Sequence, residues 1–548
     1  MESMQKMLAI AAVAILLVAG AAAAIMLMNN NSNNGNKGGE GDTDLTLTVG
    51  TLDTVSGTNF SAANARYMIQ DIMYLPLINW NYGVANPCLA TSWTTDDGCK
   101  SYTVKLREDV VWSDGDKFDA DDVVISVKNK MASSNSGYSA VEKIDAYTVK
   151  ITMGLVDAND PSKGVMPNAN WPAENTNLQI FPEHIFKNET LGDFGKCEFP
   201  KYCVATGPMV ISSIDKNAGT ITYVANDKYF GGQPSVRTLV MKTYSNNEAV
   251  MMALLKGEVD TIYTYTTMGM DTNYLTKVID SGLSLKTVKS AGLGPTMWFN
   301  QDTELGADLN IRLACRYAIN YEEIISYLAN GTGEVPNTGV WTPRGAFYKE
   351  TLKMEYSPEK AAQTLDAAGW TLKEGDKYRT NAEGKTLTLN MFSRSSESNC
   401  VKAMQFIAEY LEAVGIEAKT SVCGPSDLSS WVKSDNYEVC VYIWTSGAMD
   451  SRYGFLTAPL LASQMMGQNI GQDETVKALV DELAATPVTE RQSIAGKIQD
   501  YWSANAPMVP TYWYSYLVPY DSSLTGLCDH STYGIICPDT MMNLTLKK

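Results

Sequence analysis

Apolar and polar residues alternate with a period of two over Leu45–Val49 (LTLTV), over SYTVKL at residues 101–106 and over Tyr147–Met153, which predicts strands with one buried face. Val259–Tyr265 and Pro507–Tyr516 also predict strands. Tyr437–Trp444 is almost wholly apolar, the pattern of a strand covered on both faces. Elsewhere the period changes to that of a helix. Asp119–Lys128 opens with acids in its first turn, which the helix dipole favours. Asn246-Asn247 caps a helix over AVMMALLK that Gly257 closes. Asn310–Leu328 sets Ile311, Cys315, Ala318, Ile325 and Leu328 on one stripe. Ser357-Pro358 begins a helix that stops at Gly369, Val401–Val414 forms another, and two more follow over residues 473–502. Strands and helices alternate along the chain, so the predicted fold class is α/β with mixed sheets.

Two segments at the start stand outside this pattern. Met7–Met28 is an uncharged run of 22 residues. As a helix it would measure about 33 Å, enough to span hydrocarbon. Residues 1–28 are therefore expected to be a membrane anchor, in preference to a cleaved secretory signal whose apolar part stops at about 15 residues. Residues 29–44 (NNNSNNGNKGGEGDTD) hold no apolar side chain and are expected to be a flexible tether. Both readings export everything after residue 28, and no later stretch is long and apolar enough to span a bilayer.

The remainder is large enough for several cores, since 45% of the 548 residues are apolar. Acidic residues number 61 against 43 basic, a net charge of −18, which excludes nucleic acid as a partner. Only two histidines, His184 and His530, are present, so a His-rich metal site is excluded. Ten cysteines in an exported chain predict disulfides, with Cys88–Cys99, Cys197–Cys203 and Cys528–Cys537 as loop staples and Cys400–Cys423 as a further pair. Cys315 and Cys440 fall on apolar elements and are expected to be buried free thiols. No C-x-x-C occurs, and no metal or cofactor is predicted.

Several motifs reduce to structure. The run Asp114, Asp116, Asp119, Asp121 and Asp122 fails the calcium-loop rule, with Asp119 where glycine is required and Ile125 at the twelfth place. It reads as a turn followed by a helix start. Gly384-Lys385-Thr386 lacks the first glycine of a phosphate loop, because Arg379 stands there. Neither histidine has a nucleophile or zinc motif beside it. The chain is expected not to be an enzyme; a secreted hydrolase using His184 or His530, and a structural surface protein, are the rival classes.

An ordered series of stretches resembles one family, the large extracytoplasmic solute-binding proteins of peptide- and nickel-type ABC importers. Val111-Trp-Ser-Asp-Gly-Asp-Lys-Phe118 with Ala120-Asp-Asp-Val-Val124 is similar to its W-x-D-G-x-x-F-x-A-x-D-V signature. Thr206-Gly-Pro208, Asn226–Gly232 and Ala253–Asp260 follow in the family's order. So do Phe299-Asn300, Asn310–Asn320, Tyr356–Trp370, and Glu490-Arg491 with Ala506–Pro510. His184 lies in a stretch similar to the family's Pro-x-His-Ile-Phe. The match runs over roughly residues 45–520.

The resemblance implies a three-lobed, periplasmic-binding-protein-like fold of type II with a hinged interlobe cleft. Lobe I would combine 45–82, 205–289 and 505–548; lobe II would be 83–204 and lobe III 290–504. The implied function is a membrane-tethered receptor on the extracytoplasmic side. It would act as a monomer that hands an oligopeptide or dipeptide to the permease subunits of an ABC importer and their ATPases. A nickel or other metal chelate is the alternative solute.

Candidate ligand residues follow from position. Ser56, Gly57 and Thr58 match a loop that faces the cleft in the family. Trp444, Thr445, Ser446, Gly447 and Asp450 emerge at the end of the apolar strand, where clefts form. In peptide-binding members an acid three residues after this tryptophan takes the ligand's ammonium group; here Gly447 stands there, so free peptide N-termini would be held differently, and Asp450 is a candidate substitute whose competing reading is a cap for the next helix. Arg344 could fork onto a ligand carboxylate. Tyr263 and Tyr265 could stack on a solute, although alternation turns one of the two toward the core.

Overall fold

The computed structural model describes residues 45–55, 72–81, 84–95, 97–132, 137–174, 178–198, 202–264, 269–424, 427–434, 436–443, 474–487, 490–531 and 533–547. The apolar run and the tether at the start lie outside them, as do Ser56, Gly57, Thr58, Tyr265, Trp444, Thr445, Ser446, Gly447 and Asp450. Among the described residues no helix is long and apolar enough to cross a membrane.

Three sheets carry the fold. The largest has seven strands in the order Ser284–Leu293, Trp513–Tyr520, Thr261–Ile262, Leu45–Thr51, Val236–Thr243, Thr220–Ala225 and Met209–Asp215. Leu45–Thr51 is parallel to both its neighbours, and the other pairs are antiparallel, so the sheet is mixed. A five-stranded sheet orders Glu417–Cys423, Thr388–Arg394, Val439–Tyr442, Thr296–Phe299 and Met508–Pro510. Val439–Tyr442 sits at its centre, as its apolar pattern predicts. The third sheet is a four-stranded antiparallel set within Ala90–Asp145 and Thr148–Met153.

Local signals place most elements. Asp119 caps the helix Ala120–Met131 through a reciprocal capping box with Asp122. The Asn246 side chain accepts from Ala249 N to start Asn247–Leu255, and Gly257 closes it at φ 70°. Two expectations fail. The stripe over Asn310–Leu328 is two helices, Leu309–Ala318 and Tyr321–Leu328, because the Asn320 side chain accepts from Glu323 N and starts a second helix. Pro507–Tyr516 is not one strand: Met508–Pro510 and Trp513–Tyr520 belong to different sheets.

All ten cysteines are free thiols, so the disulfides expected at Cys88–Cys99, Cys197–Cys203, Cys528–Cys537 and Cys400–Cys423 are not formed. Cys88 lies near Arg107 and Tyr229, whereas Cys99 lies against Tyr102, so that pair occupies separate surroundings. The Thr540 hydroxyl sits 3.1 Å from Cys528 N and 3.5 Å from Cys537 Sγ, tying both residues to a third group. Burial pushes the Cys88, Cys203 and Cys537 thiols up to about 12, which keeps them protonated.

Candidate functional site

The buried apolar side chains form two main cores. One draws only on residues between Leu293 and Trp513, the other on residues Leu47 to Val288 and Tyr516 to Leu544. The chain passes between them twice, and the two passages run side by side. Gly294 N donates to Tyr512 O at 2.8 Å, and Thr511 donates to Pro295 O through N at 2.9 Å and Oγ1 at 2.7 Å. This exchange explains why the strand expected over Pro507–Tyr516 breaks: Thr511 turns its backbone from one sheet to the other. Gly294 has no room for a side chain, since a Cβ there would lie 2.8 Å from the Tyr512 ring.

Strand ends converge on this crossing. Val439–Tyr442 runs antiparallel to Thr296–Phe299 and ends with Tyr442 opposite Thr296, the first strand residue after the passage. Leu45–Thr51 and Thr261–Ile262 are parallel neighbours, with Gly50 opposite Ile262, so both leave the large sheet at the same end. Leu52 N donates to Thr264 Oγ1 there at 3.2 Å.

Arg344 is part of this seam. Its Nη1 donates to Lys289 O at 3.1 Å and its Nη2 lies 3.4 Å from Asp529 Oδ2. Lys286 Nζ reaches the other oxygen of Asp529 at 2.9 Å. One carboxylate thus sits between two cations, and Arg344, from the stretch that builds one core, meets Lys286 and Asp529, from stretches that build the other. Tyr263 is 1% exposed and belongs to the larger discontinuous core. A Cβ on Gly534 would lie 2.7 Å from its ring, so it packs against the C-terminal loop and is the core-facing member of the tyrosine pair.

Neither histidine is arranged as a base. His530 is buried; its Nδ1 accepts from Tyr533 N at 3.3 Å, which leaves Nε2 to donate to Asn79 Oδ1 at 2.7 Å. Burial lowers its pKa to about 3 and holds it neutral. His184 bridges Asp114 Oδ2 at 2.8 Å and Asp116 Oδ2 at 3.0 Å, locking the W-S-D-G turn to the stretch after Pro182.

Cavities among the described residues lie away from a single common site. One of ≈ 430 Å³ lies where Thr272–Thr276 faces Ser326–Gly331, beside a 3.0 Å hydrogen bond from Asn330 Nδ2 to Thr272 Oγ1. Another, of ≈ 280 Å³, is lined by Phe392, Trp431 and Tyr437 with serines and asparagines, away from the crossing. Sequence reasoning missed Lys286 and Asp529 around Arg344. No local pattern marks either, because Asp529 lies 185 positions from Arg344 along the chain.

Comparison with known proteins agrees with this architecture. Residues 85–464 match the family model described as bacterial extracellular solute-binding proteins, family 5 Middle. Oligopeptide-binding protein AppA of Bacillus subtilis (strain 168) is 26% identical over 74% of this chain and 75% of its own length. The nickel-binding periplasmic protein of Escherichia coli (strain K12) is 22% identical over 82% of this chain and 85% of its own. The crystal structure of NikA from Brucella suis in complex with Fe(III)-EDTA superposes with a TM-score of 0.75 at 19% identity, covering 92% of this chain and 100% of that one.

Proposed function

The chain belongs to the bacterial extracellular solute-binding proteins of family 5, and from that membership we propose that it is a receptor that captures a small solute outside the membrane and delivers it to an ABC importer. The observation that carries this reading is the double crossing between two separate cores, the geometry a hinge requires. Three sheets support three lobes. The pairing of Met508–Pro510 within the five-stranded sheet favours lobe boundaries at 294–295 and 511–512 instead of 290 and 505. A solute that touches both sides only in the closed arrangement favours closure by its differential affinity for that state. No bond is made or broken in this cycle.

The leading solute is an oligopeptide, as the name of the Bacillus subtilis relative states for that protein. Arg344 would contribute positive charge on one side of the seam. Ser56, Gly57, Thr58, Tyr265, Trp444, Thr445, Ser446, Gly447 and Asp450 would complete the site. A metal chelate is the second reading, favoured by the nickel-binding relative. The apolar run over residues 7–28 and the polar tether behind it support attachment of a monomeric receptor to the outer face of the membrane, beside the importer's permease subunits.

The test is a titration of the purified chain with a pool of tri- to pentapeptides and with nickel(II) chelates, read by calorimetry and thermal melting. A solute at 100 times its Kd stabilises the fold by about 2.7 kcal/mol, and its binding shrinks the radius of gyration in solution scattering. A chain whose melting and scattering ignore both solute classes would overturn the proposal.

A further inference from the structure

Away from the two crossing strands, a buried contact among the described residues joins the cores. Arg491 precedes the helix Gln492–Asn505, whose Ile494, Ala495, Ile498 and Trp502 belong to the core built from residues 293–513. Its guanidinium is buried at 1% exposure, with Nε donating to Thr486 O at 2.9 Å. Its Nη1 leaves that body and donates to Asn170 Oδ1 at 3.0 Å, a partner 321 residues away. Asn170, 2% exposed, lies between Ala169 and Trp171 of the other core. Trp171 in turn stacks on Tyr102 of the four-stranded sheet, with ring centroids 4.5 Å apart and planes at 26°. Burial raises the Tyr102 phenol well above its ordinary value, and the positive charge of Arg491 acts on it in the opposite sense.

A buried arginine is costly unless its donors find partners. Here one donor is met within its own body and another reaches across to the opposite body. If the bodies separate about the crossing, Arg491 and Asn170 lose each other and return to water; when they meet, the bond re-forms in a dry site where it counts for more.

We propose that Asn170 and Arg491 form the latch of the closed arrangement: positioning residues that set how far the two bodies are closed at rest, and through that population the apparent affinity for solute. This rests on the hinged-receptor reading above. An amide–guanidinium bond is a moderate latch, weaker than a carboxylate–guanidinium pair, so single substitutions at residue 170 can shift the balance both ways.

The experiment compares the ligand-free full chain with Asn170→Ala and Asn170→Asp by solution scattering, with thermal melting as control. Asn170→Ala is expected to enlarge the radius of gyration, and Asn170→Asp to leave it at or below the wild-type value. A merely structural role would lower the melting temperature of both variants and leave the scattering unchanged. Superimposable scattering of all three chains, or equal expansion of both variants, would overturn the latch. If Asn170→Ala does not fold, Arg491→Lys, which keeps the charge and loses the planar fork, takes its place with the same expected expansion. With the peptide pool as probe, Asn170→Ala should need about tenfold more peptide than wild type for the same melting shift. A wild-type chain indifferent to peptide pool and nickel chelates would sink the receptor reading, while the ligand-free scattering would still decide the latch.

Discussion

The indole Nε1 of Trp112 donates to Asp122 Oδ2 at 3.1 Å, joining the first aromatic of the W-x-D-G stretch to the acid of the helix that follows it. Asp122 also accepts from Asp119 N at 2.9 Å and, through Oδ1, from Glu183 N at 2.7 Å. Ser126, one turn on, accepts from Phe181 N at 2.7 Å. The spacing of the signature is thus the spacing of one buried carboxyl that fastens a turn, a helix and the Phe181–Phe186 stretch.

Replacing Asp122 with alanine orphans three N–H groups, the buried Trp112 indole and the half-buried amides of Asp119 and Glu183. Urea unfolding should show a loss of about 3 kcal/mol. Burial raises the Asp122 carboxyl to about 7, far above the ~3.9 of an unfolded chain. Its contribution is therefore complete below about pH 4 and is lost as the pH climbs through 7. The stability difference between wild type and Asp122→Asn should shift against the wild type over that interval, and a difference independent of pH would contradict the assignment.

Gly207, in the Thr206-Gly-Pro208 stretch, faces backbone. A Cβ there would lie 2.2 Å from the Ile72 carbonyl oxygen. Gly207→Ala should destabilise by about 3 kcal/mol, whereas Gly257→Ala, with nothing within 4 Å of its Cβ position but a φ of 70°, should cost about 1 kcal/mol. Chemical denaturation of the two variants separates collision from backbone strain.

Arg312 and Arg316 hold the carbonyl end of the last long helix of their core. Arg312 Nε reaches Asn505 O at 3.0 Å and Arg316 Nη1 reaches Ser503 O at 2.8 Å. Arg312 also donates to Gly306 O at 2.9 Å. Arg312→Lys keeps the charge and loses the fork, so it should destabilise nearly as much as Arg312→Ala, by about 2 kcal/mol in thermal or urea unfolding.

With all ten cysteines free, the chain unfolded in guanidinium without reductant should take ten alkyl groups. Intact mass reads the number directly. Eight additions or fewer would mean that at least one staple forms after all. In the native state labelling should be slow, because burial keeps most of the thiols protonated.

Periodicity and capping by themselves determine most elements. Asp119, Asn246 and Ser357 each start the helix that their neighbours imply, and the apolar run before Trp444 is a central strand. These signals are local, carried by residues within one turn or one strand. The order of the family-like stretches likewise points to the family from sequence alone. Pairing across the chain is another matter. The pattern over Pro507–Tyr516 reports which faces are apolar but not which sheet receives each half, since that depends on Pro295 and Gly294 more than 200 residues away. Arg344 announces a cation, but its carboxylate partner is Asp529, 185 positions along. Arg491 and Asn170 carry no mark of each other at all. Such pairs are chosen by the docking of preformed bodies, where burial makes an unmet polar group costly, and that cost exists only once the chain has folded.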